Sequence, residues 1–323
     1  MTHRFKAACV AIGLACTSAA ALAQQVTLKA INAFQEGTYF AQNFEAFVKK
    51  VNEEGKGLVQ IQYIGGPKAI PTLEQPAALR NGVVDMAATT ASYAGGIVPE
   101  VQALNYATVP FQELRRNGAL DYINRLMAEK NLMYFARTGD GVKYHLYLTK
   151  PINGPDLKGM KIRIAPNFRE FFQSLGATVI QTPPGEVYTA LERGVVDGYG
   201  WPLLGIFDMG WQQVTKYRVD PGFHNLEMAV QFNLKSWQKL SPEQQAFLER
   251  QRDWLEQLAL EKSMADVVTD LQRQQDAGIQ TITFEGDDAR EYLRKSLDTA
   301  WAGIIRLSPE HGPQLRELMV AKP

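Results

Sequence analysis

The chain has 323 residues, 46% of them hydrophobic, with 34 basic and 34 acidic side chains. That is enough length and apolar content for a sizeable core, and the even charge balance argues against nucleic acid or a polyanionic surface as partner. The only cysteines are Cys9 and Cys16, both close to the start, so the rest of the chain offers no thiolate nucleophile and no Cys-held zinc or iron–sulfur site.

His3, Arg4 and Lys6 make a basic start, the run from Ala7 to Ala15 is almost wholly apolar, and Ala21-Leu22-Ala23 closes a small-residue tail. These are the parts of a cleavable secretory signal over residues 1–23. The apolar run is too short for a membrane helix, which needs about 20 residues. The expectation is export to the periplasm with cleavage after Ala23; a lipoprotein reading through Cys16 is opposed by Gly13, where a larger aliphatic residue would be expected. Cleavage would remove both cysteines together with Arg4 and Lys6, leaving 32 basic and 34 acidic residues. His145, His224 and His311 would remain, far apart and never at a metal-binding helical spacing.

Beyond the signal, Val26-Thr27-Leu28-Lys29-Ala30-Ile31 alternates as a half-buried strand. Phe40, Phe44, Phe47, Val48 and Val51 share one face of a helix stopped by Gly55 and Gly57. Val59, Ile61 and Tyr63 alternate as the next strand, closed by Gly65-Gly66-Pro67. Strand, helix, strand is the rhythm of an α/β sheet. Residues 144–149 and 160–165 read as strands, 167–175 as a short helix ended by Gly176, and 178–182 as another strand. In the last third, Ser241-Pro242-Glu243-Gln244 is a capping box that opens a helix running to Ala277, where Gly278 ends it. At 1.5 Å per residue that helix spans roughly 50 Å, longer than one lobe is wide. Its many charges read as a solvated face.

One segment nearly repeats. Ala78-Leu79-Arg80-Asn81-Gly82-Val83-Val84-Asp85 recurs as Ala190-Leu191-Glu192-Arg193-Gly194-Val195-Val196-Asp197, 112 residues later, with six of eight positions identical. Each copy reads as a helix ending in glycine, followed by a short β-branched strand that ends in an acid. Two such units about a hundred residues apart suggest two similarly built lobes, although helix–Gly–strand is also a common local solution.

No nucleophile elbow, zinc-helix motif, P-loop or dinucleotide fingerprint is present. Carboxylate pairs such as Glu53-Glu54 and Asp287-Asp288 stand at helix or loop ends, where solvation or capping is the ordinary role. The residue that stands out is Arg163, in the strand Lys161-Ile162-Arg163-Ile164 and close to its carboxyl end, where α/β proteins bind ligands. Its planar fork can hold a carboxylate through two parallel hydrogen bonds. On the residues alone, a structural ion pair is the favoured reading of that charge.

Leu157-Lys158-Gly159-Met160-Lys161-Ile162-Arg163-Ile164 resembles the L-K-G-x-K-x-R-[VI] segment of the DctP-type substrate-binding proteins of tripartite ATP-independent periplasmic (TRAP) transporters. Gly185-Glu186-Val187-Tyr188-Thr189-Ala190-Leu191, continuing to Gly194 and Val196-Asp197-Gly198, resembles the family's second signature. The resemblance implies an α/β fold of two lobes, linked by hinge strands and braced by a long helix spanning both. It places residues 24–141 with about 228–268 in one lobe, and 142–227 with about 269–323 in the other. It implies a non-enzymatic solute-binding protein that needs no cofactor and hands an organic acid to the small and large permease subunits. It also makes Arg163 the carboxylate clamp.

One departure bears on the ligand. Many members read D-G-x-E-N-P after the second signature; here the segment is Asp197-Gly198-Tyr199-Gly200-Trp201-Pro202. The branch that binds 2-oxo acids has E-W there and uses the glutamate to hold a metal ion. Tyr217 and Pro221-Gly222-Phe223-His224 resemble that branch as well. Gly200 in the glutamate's place speaks against metal-assisted binding. The expected ligand is a compact monocarboxylate (an oxo, cyclic or aromatic acid) that meets Arg163 and packs on Trp201; a heavily hydroxylated sugar acid would find few partners on a tryptophan wall. By position, Asn32, Glu36, Thr90, Tyr144 and Tyr199 are further pocket candidates. The alternatives are a periplasmic enzyme acting on an acid through Glu36 or Asp197, and a ligand sensor for a receptor kinase.

Overall fold

The computed structural model describes residues 25–321; the signal over residues 1–23, with Cys9 and Cys16, lies outside the described residues. Two sheets form two lobes. The first has the order β2-β1-β3-β10-β4, from β1 (Val26–Asn32), β2 (Val59–Tyr63), β3 (Met86–Thr89), β4 (Leu132–Gly139) and β10 (Met228–Asn233). The second has the order β11-β9-β5-β8-β6-β7, from β5 (Lys143–Leu148), β6 (Lys161–Ile164), β7 (Thr178–Gln181), β8 (Gly198–Pro202), β9 (Tyr217–Asn225) and β11 (Gln280–Thr283). The expected strands and the helix Tyr39–Glu54 are present, and β1, β2 and β3 run parallel as the strand–helix–strand rhythm requires.

The repeat is a true structural duplication. Gly82 and Gly194 both adopt positive φ, 74° and 67°, after the short helices Gln75–Arg80 and Val187–Glu192. The acids do the same work in both copies. Asp85 accepts the Lys29 N–H at 2.7 Å and gives its own N–H to the Lys29 carbonyl at 2.8 Å. Asp197 accepts the Lys161 N–H at 2.8 Å and donates to the Lys161 carbonyl at 2.7 Å. Each acid thus pins the neighbouring strand, the middle of β1 in one lobe and the start of β6 in the other. In one respect the expectation is corrected: the Val-Val-Asp runs are bends, and the strands begin just after the acid. The first valine of each pair faces solvent while the second, Val84 or Val196, is buried.

The chain crosses between lobes at two strand pairs, β4 to β5 and β9 to β10, which touch where the Leu226 N–H meets the Val142 carbonyl at 2.7 Å. The long helix Pro242–Asp276 forms the third link. Ser241 and Gln244 close the capping box reciprocally, at 3.2 and 2.9 Å. The helix buries Phe247, Leu248 and Leu255 in the first lobe's core, and its far end reaches the second lobe, where the Gln274 amide donates to the Leu203 carbonyl at 2.7 Å.

The C-terminal segment departs from the expected division. The helix Gly286–Leu307 buries Tyr292 against Phe171 and Phe284 of the second lobe's core. Trp301 and Ile304 in its later turns, with Leu315 and Met319 of the following helix Gly312–Met319, pack with Leu104, Leu120 and Ile123 of the first lobe. The Met319 carbonyl also accepts the N–H groups of Thr108 and Val109.

His224 on β9 sits at that junction, 4.7 Å from the Tyr106 ring and donating from Nε2 to the Ser296 carbonyl at 2.8 Å. Burial pushes its imidazole from 6.5 down to about 4, the Ser296 carbonyl opposing and Lys143 reinforcing the shift. Because the folded value lies below the unfolded one, the unfolded chain binds the proton first as pH falls. Stability present in full above 6.5 is therefore lost progressively towards pH of about 4, by about 3 kcal/mol at 1.4 kcal/mol per unit. His224→Gln keeps a donor for Ser296 without titrating. Urea denaturation from pH 6.5 to 4 should show it losing about 1–3 kcal/mol less than the parent; equal losses would remove His224 as the cause.

Candidate functional site

The carboxyl ends of β1, β3, β6 and β8 converge on the cleft between the lobes. There the sheet hydrogen bonding stops and loops from both lobes meet, as at other α/β ligand sites. Arg163, on the buried β6, pairs in register with Tyr199 on β8 and with Ile180 on β7. It is completely buried. Its Nε and Nη2 both donate to the Thr182 carbonyl, at 3.0 and 2.5 Å; Nη1 makes no hydrogen bond of ordinary geometry, and the Tyr93 hydroxyl is the polar group set against the fork. One edge of the guanidinium fork is thus held by the protein, leaving the Nη1–Nη2 edge to receive a planar anion. Burial pushes the guanidinium down from its ordinary value, with Tyr93, Tyr144 and Glu186 pulling it back up.

Trp201 stands 5.7 Å from the Arg163 guanidinium carbon, with the cation over its ring. Trp211 packs edge-on against it at 4.7 Å, and Phe40 and Phe34 close over it from the first lobe at 5.7 and 6.3 Å. The Trp201 indole N–H, like Arg163 Nη1, is buried without an acceptor. Beside this pair is a small chamber of about 20 Å³, lined by uncharged residues that include Phe34, Thr90, Tyr93, Tyr144, Phe168 and Trp201. Arg163 lies just behind these walls. The Tyr93 phenol is against its guanidinium: burial pushes the phenol up and the cation pulls it back. Toward solvent the cleft widens into a cavity of about 280 Å³ with Pro67 and Pro71 on one lip and Pro183, Pro184 and Met209 on the other.

The other candidates separate. Tyr144 lines the chamber, packed on Phe168 at 4.8 Å. Thr90 also lines it, but its hydroxyl is committed: it donates to Glu227 at 3.1 Å and caps the next turn by accepting the Ser92 N–H. Asn32 lies beneath, its side-chain oxygen accepting the Phe34 N–H at 2.9 Å and its amide nitrogen unpartnered. Glu36 is exposed, with its carboxylate beside Gly65, and does not line the chamber. Tyr199 shares a face of β8 with Trp201 but lies two residues deeper in the sheet. There it stacks on Tyr147 at 5.0 Å and bonds Thr215 at 2.8 Å, so depth keeps it out of the cleft. Asp197 is engaged with the start of β6 and with Lys150, which leaves the enzyme reading without that acid.

Sequence reasoning missed Phe34, Phe40, Tyr93 and Phe168. Single aromatic residues in apolar runs carry the same pattern as core residues, and only three-dimensional proximity to Arg163 distinguishes them.

Gly200 has a steric explanation. A Cβ built there would stand 2.9 Å from Phe168 Cδ2 and 3.1 Å from Phe172 Cε2. Phe168 occupies the space into which any longer side chain at position 200 would project, and among the described residues no group of three or more His, Asp or Glu is placed to hold a metal ion. Gly200→Glu should destabilise the protein by about 1–3 kcal/mol in urea denaturation, and adding Phe168→Ala should recover part of that loss. A single variant as stable as the parent would show that Phe168 yields freely.

Comparison with known proteins adds four findings. The family model described as bacterial extracellular solute-binding protein, family 7 (DctP) matches residues 31–306. The chain is similar to the monocarboxylate 2-oxoacid-binding periplasmic protein of Nostoc sp., 30% identical over 216 residues, a match that spans 62% of this chain and 58% of that protein's length. In fold it is similar to a TRAP periplasmic solute binding protein from Desulfovibrio salexigens with bound orotic acid, at a TM-score of 0.81 and 22% identity, covering 91% of this chain and 97% of that one. A Bordetella pertussis extracytoplasmic solute receptor binding pyroglutamic acid is similar at a TM-score of 0.80 and 17% identity, covering 91% and 99%.

Proposed function

The chain belongs to the DctP family of bacterial extracellular solute-binding proteins, and from that premise we propose that it captures a small organic monocarboxylate between its lobes in the periplasm and delivers it to the membrane subunits of a TRAP transporter. The family and its structural neighbours are substrate-binding proteins, not enzymes.

The observation that carries the reading is one buried guanidinium, with a free fork edge, behind a chamber whose lining is otherwise uncharged. A single cation neutralises a single carboxylate; a second carboxylate placed in the same aromatic chamber would lose its hydration without a partner. The walls favour a flat or compact body. Phe34, Phe40, Tyr93, Tyr144, Phe168 and Trp201 offer large apolar faces with few donors. Each hydroxyl of a sugar acid would need a hydrogen-bonding partner that these rings do not supply. The Nostoc relative named for 2-oxo acids and the structural neighbours with orotate and pyroglutamate keep this reading within the family's range.

Capture proceeds by closure. In an open form Arg163 would meet the carboxylate in water. As the lobes approach, Phe34, Phe40 and Tyr93 of the first lobe would cover the pair against Trp201, and excluding water strengthens the charged contact. The permease would read the fixed relation of the two closed lobes.

The test is thermal unfolding of residues 24–323 with pyruvate, pyroglutamate, orotate and benzoate, set against malonate and glucuronate. A bound acid at 100 times its dissociation constant should add about 2.7 kcal/mol to stability. The expected result is stabilisation by one of the monocarboxylates, lost in Arg163→Ala that is shown to be folded. Preference for malonate would overturn the monocarboxylate class, and preference for glucuronate would overturn the compact, apolar body argued from the aromatic walls. Stabilisation that survives the substitution would move the clamp off Arg163.

A further inference from the structure

Glu227 lies between β9 and β10, on one of the two strand connections that join the lobes, and is fully buried. Its carboxylate accepts three hydrogen bonds: from the Ala91 N–H at 2.6 Å, the Thr90 hydroxyl at 3.1 Å and the Tyr134 hydroxyl at 2.8 Å. The residues on either side of it, Leu226 and Met228, line the chamber. So do Ser92 and Tyr93, on the short helix Ala91–Ala94 whose first N–H Glu227 holds.

Arg137 fixes the same place from the other strand connection. Its Nε donates to the Gly139 carbonyl at 2.6 Å and its Nη2 to the Leu226 carbonyl at 2.8 Å, so it ties the end of β4 to the residue before Glu227. A continuous set of contacts therefore runs from both hinge connections through Glu227 to the Ala91 turn. From there it reaches Tyr93, which faces Arg163 across the cleft.

We infer that Glu227 is a positioning residue for ligand capture: it never touches the acid, but it sets the Tyr93 wall opposite Arg163 and so links the hinge to the recognition of the carboxylate. The inference rests on reading the chamber as the acid site. Glutamine keeps the shape but not the charge: with its N–H turned to the Tyr134 hydroxyl, which can accept, it leaves the Ala91 N–H and the Thr90 hydroxyl a neutral amide oxygen, a weaker acceptor than the carboxylate, and so loosens the turn.

The test has two arms. Amide hydrogen exchange needs no ligand. In Glu227→Gln the Ala91 to Tyr93 amides should exchange at least about tenfold faster, with those of the helix Tyr39–Glu54 unchanged, since a local opening is confined to its own unit. The binding arm uses pyruvate, pyroglutamate and benzoate. Glu227→Gln should weaken the bound acid roughly tenfold, while in a Tyr93→Ala background the same change should cost little, because residues acting through one another are not additive. Tyr134→Phe, which removes one donor and keeps the charge, should shift both readouts in the same direction by less, and stands in if Glu227→Gln does not fold. Unchanged exchange at Ala91 to Tyr93 in both variants, or strictly additive losses in the cycle, would overturn the inference. If none of the acids binds the parent protein, the capture reading fails, while the exchange arm still decides whether Glu227 holds the turn.

Discussion

Arg163 is a cation placed where water cannot reach it, with a single carbonyl oxygen as its fixed partner. Burying a charge costs several kcal/mol unless it is paired and hydrogen-bonded, and this molecule answers that cost only in part. Thr182 takes one edge of the fork, Trp201 offers its ring, and Tyr93 closes from the opposite lobe with a phenol instead of a carboxylate. A permanent glutamate at that place would form a complete ion pair and leave nothing for a ligand to complete. The partial compensation is what makes an incoming anion the natural counter-charge. It also explains why the first lobe must be held in register with the second, since Tyr93 and Arg163 come from different lobes.

Much of this scaffold was legible in the amino-acid sequence because it is local. Alternation marked β1, β2 and β6, and the capping box marked the start of the long helix. The repeated Gly-Val-Val-Asp marked two equivalent units whose acids anchor β1 and β6 through the same pair of backbone bonds. Arg163 and Trp201 drew notice because their neighbours made them anomalous: a charge in an apolar strand, and an indole where the resembling family carries an amide. What lay beyond reach was tertiary. Nothing in the local pattern singles out Tyr93, Phe34 or Glu227, whose places are set by contacts distant in sequence. The return of Trp301 and Met319 to the first lobe depends on a path through space that no helical period records. The candidates placed by position alone divided on the same ground. Thr90 and Tyr144 line the chamber, whereas Tyr199 lies deeper in the sheet and Glu36 on the surface.

Gly200 shows how one small residue can redirect the chemistry of a site. With no side chain at this position in the middle of β8, Phe168 and Phe172 pack to within 3.1 Å of where a Cβ would stand. Phe168 in turn carries Tyr144 at 4.8 Å and Phe223 at 5.2 Å, so the space becomes part of an aromatic wall continuous with the second lobe's core. The exchange is of a polar position for a rigid apolar surface. It narrows the chamber's chemistry to what a guanidinium edge and flat rings can recognise.

Closure and recognition then become one event. A ligand can bias the open and closed forms only by binding one better than the other, and the chamber draws its walls from both lobes. Phe34, Phe40 and Tyr93 approach with the first lobe; Trp201, Tyr144 and Phe168 wait on the second. The two strand connections and the long helix restrict how those groups can meet, because each link spans both lobes and is packed at both ends. A hinge with fewer ties would let the rings settle around many shapes. With the Leu226 carbonyl held by Arg137 and the Ala91 N–H held by Glu227, the walls of the chamber on either side of Tyr93 are tied to both strand connections.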